Sequence, residues 1–155
     1  MALLDVSNLS IRFGTTQAVA DVHFTLDRGE RFGLVGESGS GKTLTSLAIA
    51  GLLPEGAVAG GTISIDGVSL PQDERAMARL RGKRIGMVFQ EPMTALNPLM
   101  RVARQIAEAI RLNADPHAPQ PDVSDLLVEV GLEATHGARF PHQLSGGQRQ
   151  RVMIA

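Results

Sequence analysis

Residues 36–43 read Gly36-Glu37-Ser38-Gly39-Ser40-Gly41-Lys42-Thr43 and match G-x-x-x-x-G-K-[ST] at every fixed position. The chemistry this spacing serves is the binding of a polyphosphate. Glycines let the backbone curl until successive N–H groups converge on phosphate oxygens. A helix starting near Lys42 would add its positive dipole end to the same site. Lys42 would reach the β and γ phosphates, and the Thr43 hydroxyl would ligate Mg²⁺. A glycine-rich turn occurring by chance would lack the flanks found here, an apolar strand-like run before the loop and an apolar helical face after it.

A phosphate loop alone leaves GTPases, kinases and helicases equally open. A second motif narrows the class. Leu144-Ser145-Gly146-Gly147-Gln148 continues as Arg149-Gln150-Arg151, and here the sequence resembles the ABC ATPases, whose signature is LSGGQ. Ser145, Gly146 and Gly147 offer a hydroxyl and N–H groups at a helix start, again suited to phosphate. Ser145 followed three residues later by Gln148 is also a capping box, and the same residues can be both cap and signature. The resemblance implies that Ser145, Gly146, Gly147 and Gln148 serve the ATP held by a partner subunit's phosphate loop. Two copies would then close over two nucleotides.

The same resemblance assigns further roles. Gln90 stands where the family has its Q-loop glutamine, implying contact with Mg²⁺ and the attacking water and a link to the helical subdomain. Phe13 stands where the family places an aromatic on the adenine, although phenylalanine is also an ordinary core residue. The runs 36–42, 89–98 and 140–147 are similar to the dipeptide, oligopeptide and nickel importer branch. This implies a subunit with ATP and Mg²⁺ as cofactors, paired with a second ABC ATPase subunit as homo- or heterodimer. It also implies two membrane permease subunits, a solute-binding protein acting indirectly, and a place on the cytoplasmic face of the cell membrane. Peptide heads the solutes, with nickel and glutathione beside it.

The elements that must position these residues follow from hydropathy. Residues 3–13 alternate loosely and Val22, Phe24 and Leu26 alternate strictly, which predicts an antiparallel pair. Residues 31–36 and 85–89 read as short strands buried on both faces. Leu44, Leu47, Ala48 and Gly51 fall at helical spacing, 51–61 reads as a loop, 62–67 as a strand into a tight turn, and 73–81 as a polar helix. After Pro98 the pattern is helical, with faces at Val102, Ile106, Ala109 and Ile110 and at Leu126, Leu127 and Val130. The expected fold is an α/β P-loop NTPase core of the ABC type with an N-terminal antiparallel β subdomain and a helical subdomain. Its expected division is 1–97 for the core, 98–143 for the helical subdomain and 144–155 for the signature and the helix it opens.

Composition sets the outer limits. Hydrophobic residues are 43% and charged residues 20% of 155, enough for a packed core. A net charge of −1 without long basic runs argues against nucleic acid as a partner. No apolar stretch reaches the roughly 18 residues of a membrane span, no signal peptide is recognisable at the start, and the absence of cysteine excludes thiolate chemistry. His117, His136 and His142 read as exposed loop histidines, and the family gives Glu91 no catalytic role. The family pattern continues with a strand ending in Asp, a catalytic Glu and a switch His, none of which follows Gln148 here. Residues 1–155 are therefore expected to be truncated before that strand and hydrolysis-incompetent by themselves, and an alternative is a non-hydrolysing fragment or remnant that at most binds nucleotide or a partner subunit.

Overall fold

The computed structural model describes residues 2–89, 95–115 and 117–155. They form two compact units, Met1–Ile85 and Gly86–Ala155.

The first unit is built on four antiparallel strands in the order β2-β1-β3-β4, with β1 at Leu4–Phe13, β2 at Thr16–Leu26, β3 at Ala57–Ile65 and β4 at Val68–Ser69. The loose alternation of β1 has a physical cause. Val6 and Leu9 are both buried although three residues apart, which a regular pleat would send to opposite faces. Asn8, at φ 54°, takes up the extra residue in a bulge, and Asp21, at φ 51°, does the same between Val19 and Val22 on β2. The two bulges return Val6, Leu9, Ile11 and Val19 to one core, which also takes in Ala48 of α1, the helix Lys42–Ala50. Gly51 ends α1 in the left-handed conformation. The Arg81 guanidinium donates to the Ala50 and Gly51 carbonyls at 3.2 and 3.1 Å, a cation at the helix's negative end. Asp73 caps α2, Glu74–Leu80, by accepting the Ala76 N–H at 2.9 Å.

Three expectations for this region need correction. Residues 57–61 extend β3 and do not belong to a loop, because β1 runs on to Phe13 and offers a ladder that pairs Phe13 with Ala57 and Ile11 with Ala59. Residues 31–36 form no strand: they lie exposed, with Val35 92% accessible, and Phe32 stacks on Phe24 at 4.8 Å. Of 85–89 only Ile85 makes a bridge, a parallel one to Arg81, and Val88 and Phe89 are exposed. An apolar run becomes a strand when neighbouring strands take up its N–H and C=O groups. Among the described residues, none pairs with 31–36 or 86–89.

The second unit is helical: α3 at Val102–Asn113, α4 at Val123–Glu129, 3-10 turns at Ala134–Ala138 and Pro141–Gln143, and α5 at Gly146–Ile154. Val102 and Ile106 of α3, Leu127 of α4 and Val152 of α5 meet Leu96, Leu132 and Leu144 in its core. Gly137 is where the first 3-10 turn presses on the helices. A Cβ there would stand 3.2 Å from Ala103 Cβ and 3.3 Å from Leu127 Cδ1. Among the described residues no helix is long and apolar enough to cross a membrane.

Candidate nucleotide-binding site

The loop 36–41 closes on itself through its small residues. The Ser40 N–H donates to the Glu37 carbonyl at 3.3 Å, and a Cβ on Gly36 would lie 2.8 Å from Ser40 Oγ. Gly39 and Gly41 hold φ of 81° and 86°, the left-handed region open to glycine. Gly41 is the N-cap of α1 and sits hard against β2, where an added Cβ would be 2.6 Å from Val19 Cγ2 and 3.1 Å from the Ala18 carbonyl oxygen. The antiparallel sheet thus fixes the end of the loop from below. Behind it, the buried Thr45 hydroxyl donates to the Gly41 carbonyl at 3.0 Å.

Lys42 turns back over this loop. Its Nζ donates to the Gly36 carbonyl at 2.8 Å, the Glu37 carbonyl at 2.5 Å and Ser40 Oγ at 3.2 Å. An ammonium has three donors, and all three are met by the loop. The cation is therefore held at the mouth of the loop. The first turn of α1 carries no acidic residue, so the positive end of that helix is not neutralised from within. Glu37, Ser38, Gly39, Ser40 and Thr43 are exposed. A cradle of glycines, a fixed cation and an open helix N-terminus suit a polyphosphate anion, and Thr43 supplies a hydroxyl beside it.

The signature residues cap α5. Ser145 Oγ accepts the Gln148 N–H at 3.3 Å, and Gln148 Oε1 accepts the Ser145 N–H at 2.9 Å, completing the reciprocal box read from the sequence. Ser145, Gly146 and Gly147 are exposed. Two arginines staple the helix to the preceding segment, Arg149 through the Pro141 carbonyl at 2.6 Å and Arg151 through the Gly131 carbonyl at 3.1 Å.

Phe13 lies at the end of β1, paired with Thr16 and Ala57 and partly buried against the sheet core. Gln90 lies outside the described residues. Just beyond the undescribed stretch, Gln105 of α3 holds Asn97. Gln105 Oε1 accepts the Asn97 N–H at 2.9 Å, and its Nε2 donates to the Asn97 and Met100 carbonyls at 3.0 and 2.8 Å.

One histidine differs from expectation. His117 and His142 are exposed, His142 against the Phe140 ring, but His136 is buried with 6% of its surface accessible. Its Nε2 meets Gln148 Nε2 at 3.1 Å. Sequence reasoning passed over this contact because the two residues lie twelve apart across a proline and two turns. The available signal was the helix-like Glu133-x-x-His136 spacing, which the structure turns into a 3-10 turn.

Comparison with known proteins agrees with this geometry. The chain is 44% identical to the oligopeptide transport ATP-binding protein OppD of Bacillus subtilis over 99% of its own length and 46% of that protein. It is 42% identical to the glutathione import ATP-binding protein GsiA of Escherichia coli K12 over 99% of its length and 27% of that protein. The chain thus spans half or less of the length of these curated relatives. Among solved structures, a dimer of the ATP-binding cassette MJ0796 in a post-hydrolysis state with ADP and Pi superposes with a TM-score of 0.80 at 26% identity, over 97% of this chain and 67% of that one. CbiO1 of Clostridium perfringens, part of the transporter complex cbiONQ, superposes with a TM-score of 0.77 at 25% identity, over 99% and 59%. The profile of the ABC transporter family matches residues 19–155, and with its phosphate loop and its capped LSGGQ helix the chain belongs to that family.

Proposed function

We propose that these residues are the nucleotide-binding part of an importer ATPase subunit that couples ATP binding and hydrolysis to uptake of a peptide or related solute. The observation that carries this is Lys42, held by three hydrogen bonds at the mouth of a glycine loop above the N-terminus of α1. Gly36 to Thr43 would take the phosphates, Phe13 the adenine, and Thr43 with Gln90 a Mg²⁺ ion, which supplies charge neutralisation on the phosphates. Ser145, Gly146, Gly147 and Gln148 would take the γ-phosphate of the nucleotide on a second ATPase subunit. That subunit is a copy of this chain or a related one, in a homo- or heterodimer, and the pair would serve two permeases on the cytoplasmic face of a membrane. The names of the relatives, oligopeptide and glutathione importers, support a peptide-like solute; nickel is the further candidate of the branch.

Equilibrium binding of a fluorescent ATP analogue to the complete polypeptide, with Lys42→Ala beside it, tests this reading. The charge-assisted hydrogen bonds of one lysine are worth roughly 1.5–3 kcal/mol, so affinity should fall by at least about tenfold. Equal binding by both proteins would reject the site.

A second reading concerns residues 1–155 by themselves. Hydrolysis needs acidic groups to hold the metal shell and orient water, and of the residues assigned to the nucleotide, 36–43 and 145–148, only Glu37 carries a carboxylate. This stretch alone is expected to bind nucleotide weakly and release no phosphate. Phosphate release by purified 1–155 that disappears in Lys42→Ala would refute it.

A further inference from the structure

We infer that His136 is a positioning residue for the signature helix, holding the Gln148 amide so that the first turn of α5 is preset for its ligand. The inference rests on the reading of residues 145–148 as a nucleotide contact, but its structural core can be tested without nucleotide.

The hydrogen-bond network settles which way the groups face. Gln148 Oε1 accepts the Ser145 N–H at 2.9 Å, so the amide nitrogen is the atom turned to His136. That nitrogen is a donor, and imidazole Nε2, 3.1 Å away, must accept from it. The ring proton then sits on Nδ1 and is donated to the Glu133 carbonyl at 3.1 Å. The opposite tautomer would let Nδ1 accept the Glu133 N–H at 3.2 Å but would set an N–H against the Gln148 NH₂; the tautomer with Nδ1–H gives up the bond from the Glu133 N–H and keeps the Glu133 carbonyl and the Gln148 amide as partners. The cap on Ser145 therefore selects the ring tautomer.

The ring is itself immobilised. His136 is buried, and its neighbour Gly137 packs tightly between Ala103 of α3 and Leu127 of α4, where an added Cβ would lie 3.2 and 3.3 Å from their side chains. A line of contacts thus runs from the core of this unit through Gly137 and His136 to Gln148 and on to Ser145. Leu144 of the signature is buried in the core and Gln148 is its one partly buried polar residue, while Ser145, Gly146 and Gly147 are exposed. Without the imidazole the glutamine would sample other rotamers, and the Ser145 N–H would lose its acceptor for part of the time.

Three variants separate positioning from simple space filling. His136→Leu fills the cavity without an acceptor. His136→Asn keeps a polar atom near Glu133 but is too short to reach Gln148. His136→Gln can put an amide oxygen near the place of Nε2. In the complete polypeptide, hydrogen–deuterium exchange is read on peptides covering 141–152 and, as a control for the fold, 102–113. Expected is exchange of residues 145–148 about tenfold faster in His136→Leu and His136→Asn, near-native exchange in His136→Gln, and an unchanged α3 in all three. Wild-type exchange at 145–148 in the Leu and Asn variants would overturn the inference. So would equal acceleration of 145–148 and α3 in all three variants, which would make His136 a core filler. In a second arm, ATP binding should be unaltered while ATP-driven pairing of subunits weakens about tenfold in the Leu and Asn variants and recovers in the Gln variant. If the wild-type protein neither binds ATP nor pairs, the nucleotide reading falls, and the exchange arm still decides the role of His136.

Discussion

Gly61 of β3 lies directly over the carbonyl of Asn8 in β1, so close that a Cβ on Gly61 would stand 2.4 Å from the Asn8 oxygen and 2.6 Å from that of Ser7. The approach is a consequence of the β1 bulge, where Ser7 pairs with Thr62 but Ser10 pairs with Gly60, so that β1 carries one residue more than β3 between the two pairs. Backbone cannot give way as a side-chain tip can, and Gly61 also holds φ 91°. Gly61→Ala should therefore lower the stability of the first unit by about 2–4 kcal/mol, combining left-handed strain with backbone displacement. A substitution at Gly60, where no atom lies within 4 Å of an added Cβ, should cost under about 1 kcal/mol. Urea titration of the two alanine variants compares them. Equal midpoints would mean that the bulge does not bring these backbones together.

Ser145 separates capping from ligand binding. Serine and aspartate are both good N-caps, whereas alanine is poor and costs about 1 kcal/mol. Ser145→Asp should leave thermal stability within a degree or two of wild type, since a carboxylate accepts the Gln148 N–H as the hydroxyl does. It would also set a negative charge at an exposed helix start proposed to receive a phosphate. ATP-driven pairing should then fall by tenfold or more in Ser145→Asp with little loss of melting temperature, and Ser145→Ala should lose stability. Undiminished pairing in the aspartate variant would remove the phosphate contact from the proposal.

How much of this was legible beforehand depended on where the information sits. The loop 36–43 and the box 145–148 are local, and each was read with its helix because phosphate loops and capping boxes are defined by spacing within one turn. Asn8 and Asp21 show the limit of periodicity. Each bulge shifts the phase of alternation, so β1 looked irregular although its buried residues share one core. The segments 31–36 and 85–89 carry the composition of buried strands, but a strand is completed by its neighbours, and composition cannot say whether those are at hand. His136 was misjudged for a related reason. Its burial comes from α3, α4 and α5 converging on the turn 134–138, contacts no local window contains.

Asp122 caps α4 by accepting the Ser124 N–H at 2.7 Å. The backbone hydrogen bond from Ser124, then the one from its side chain, hold the Asp122 carboxyl below the ordinary aspartate range, against a small opposing effect of burial. Because the folded value is depressed, the cap's contribution is fully present above the ordinary aspartate pKa and is lost as pH falls through the folded one. Asp122→Ala should thus melt earlier than wild type at neutral pH, and the gap should close below about pH 4. Asp122→Asn, a capping residue without a charge, should show a gap that changes less with acid. A wild-type-minus-alanine difference constant from pH 7 to pH 3 would argue that the carboxylate does not cap the helix.

Gly41 joins the phosphate loop to the sheet, and its substitution should report on both. Gly41→Ala meets three obstacles: a left-handed φ of 86°, the Val19 Cγ2 methyl 2.6 Å from the new Cβ, and the Ala18 carbonyl oxygen at 3.1 Å. Only the second belongs to a side chain that can be removed. In a Val19→Ala background the methyl contact disappears, while the φ strain of about 1 kcal/mol and the backbone contact stay. Val19 is also a buried member of the sheet core, so Val19→Ala has its own cost from lost burial. The coupling between the two sites isolates the steric clash. The double variant should be more stable than the sum of the single losses predicts, by about 1 kcal/mol. ATP affinity should fall in Gly41→Ala and remain reduced in the double variant, because the loop backbone is still forced from its left-handed turn. Additive losses of stability would place the Gly41 backbone away from Val19, and unreduced affinity would mean that the loop tolerates a side chain where α1 begins.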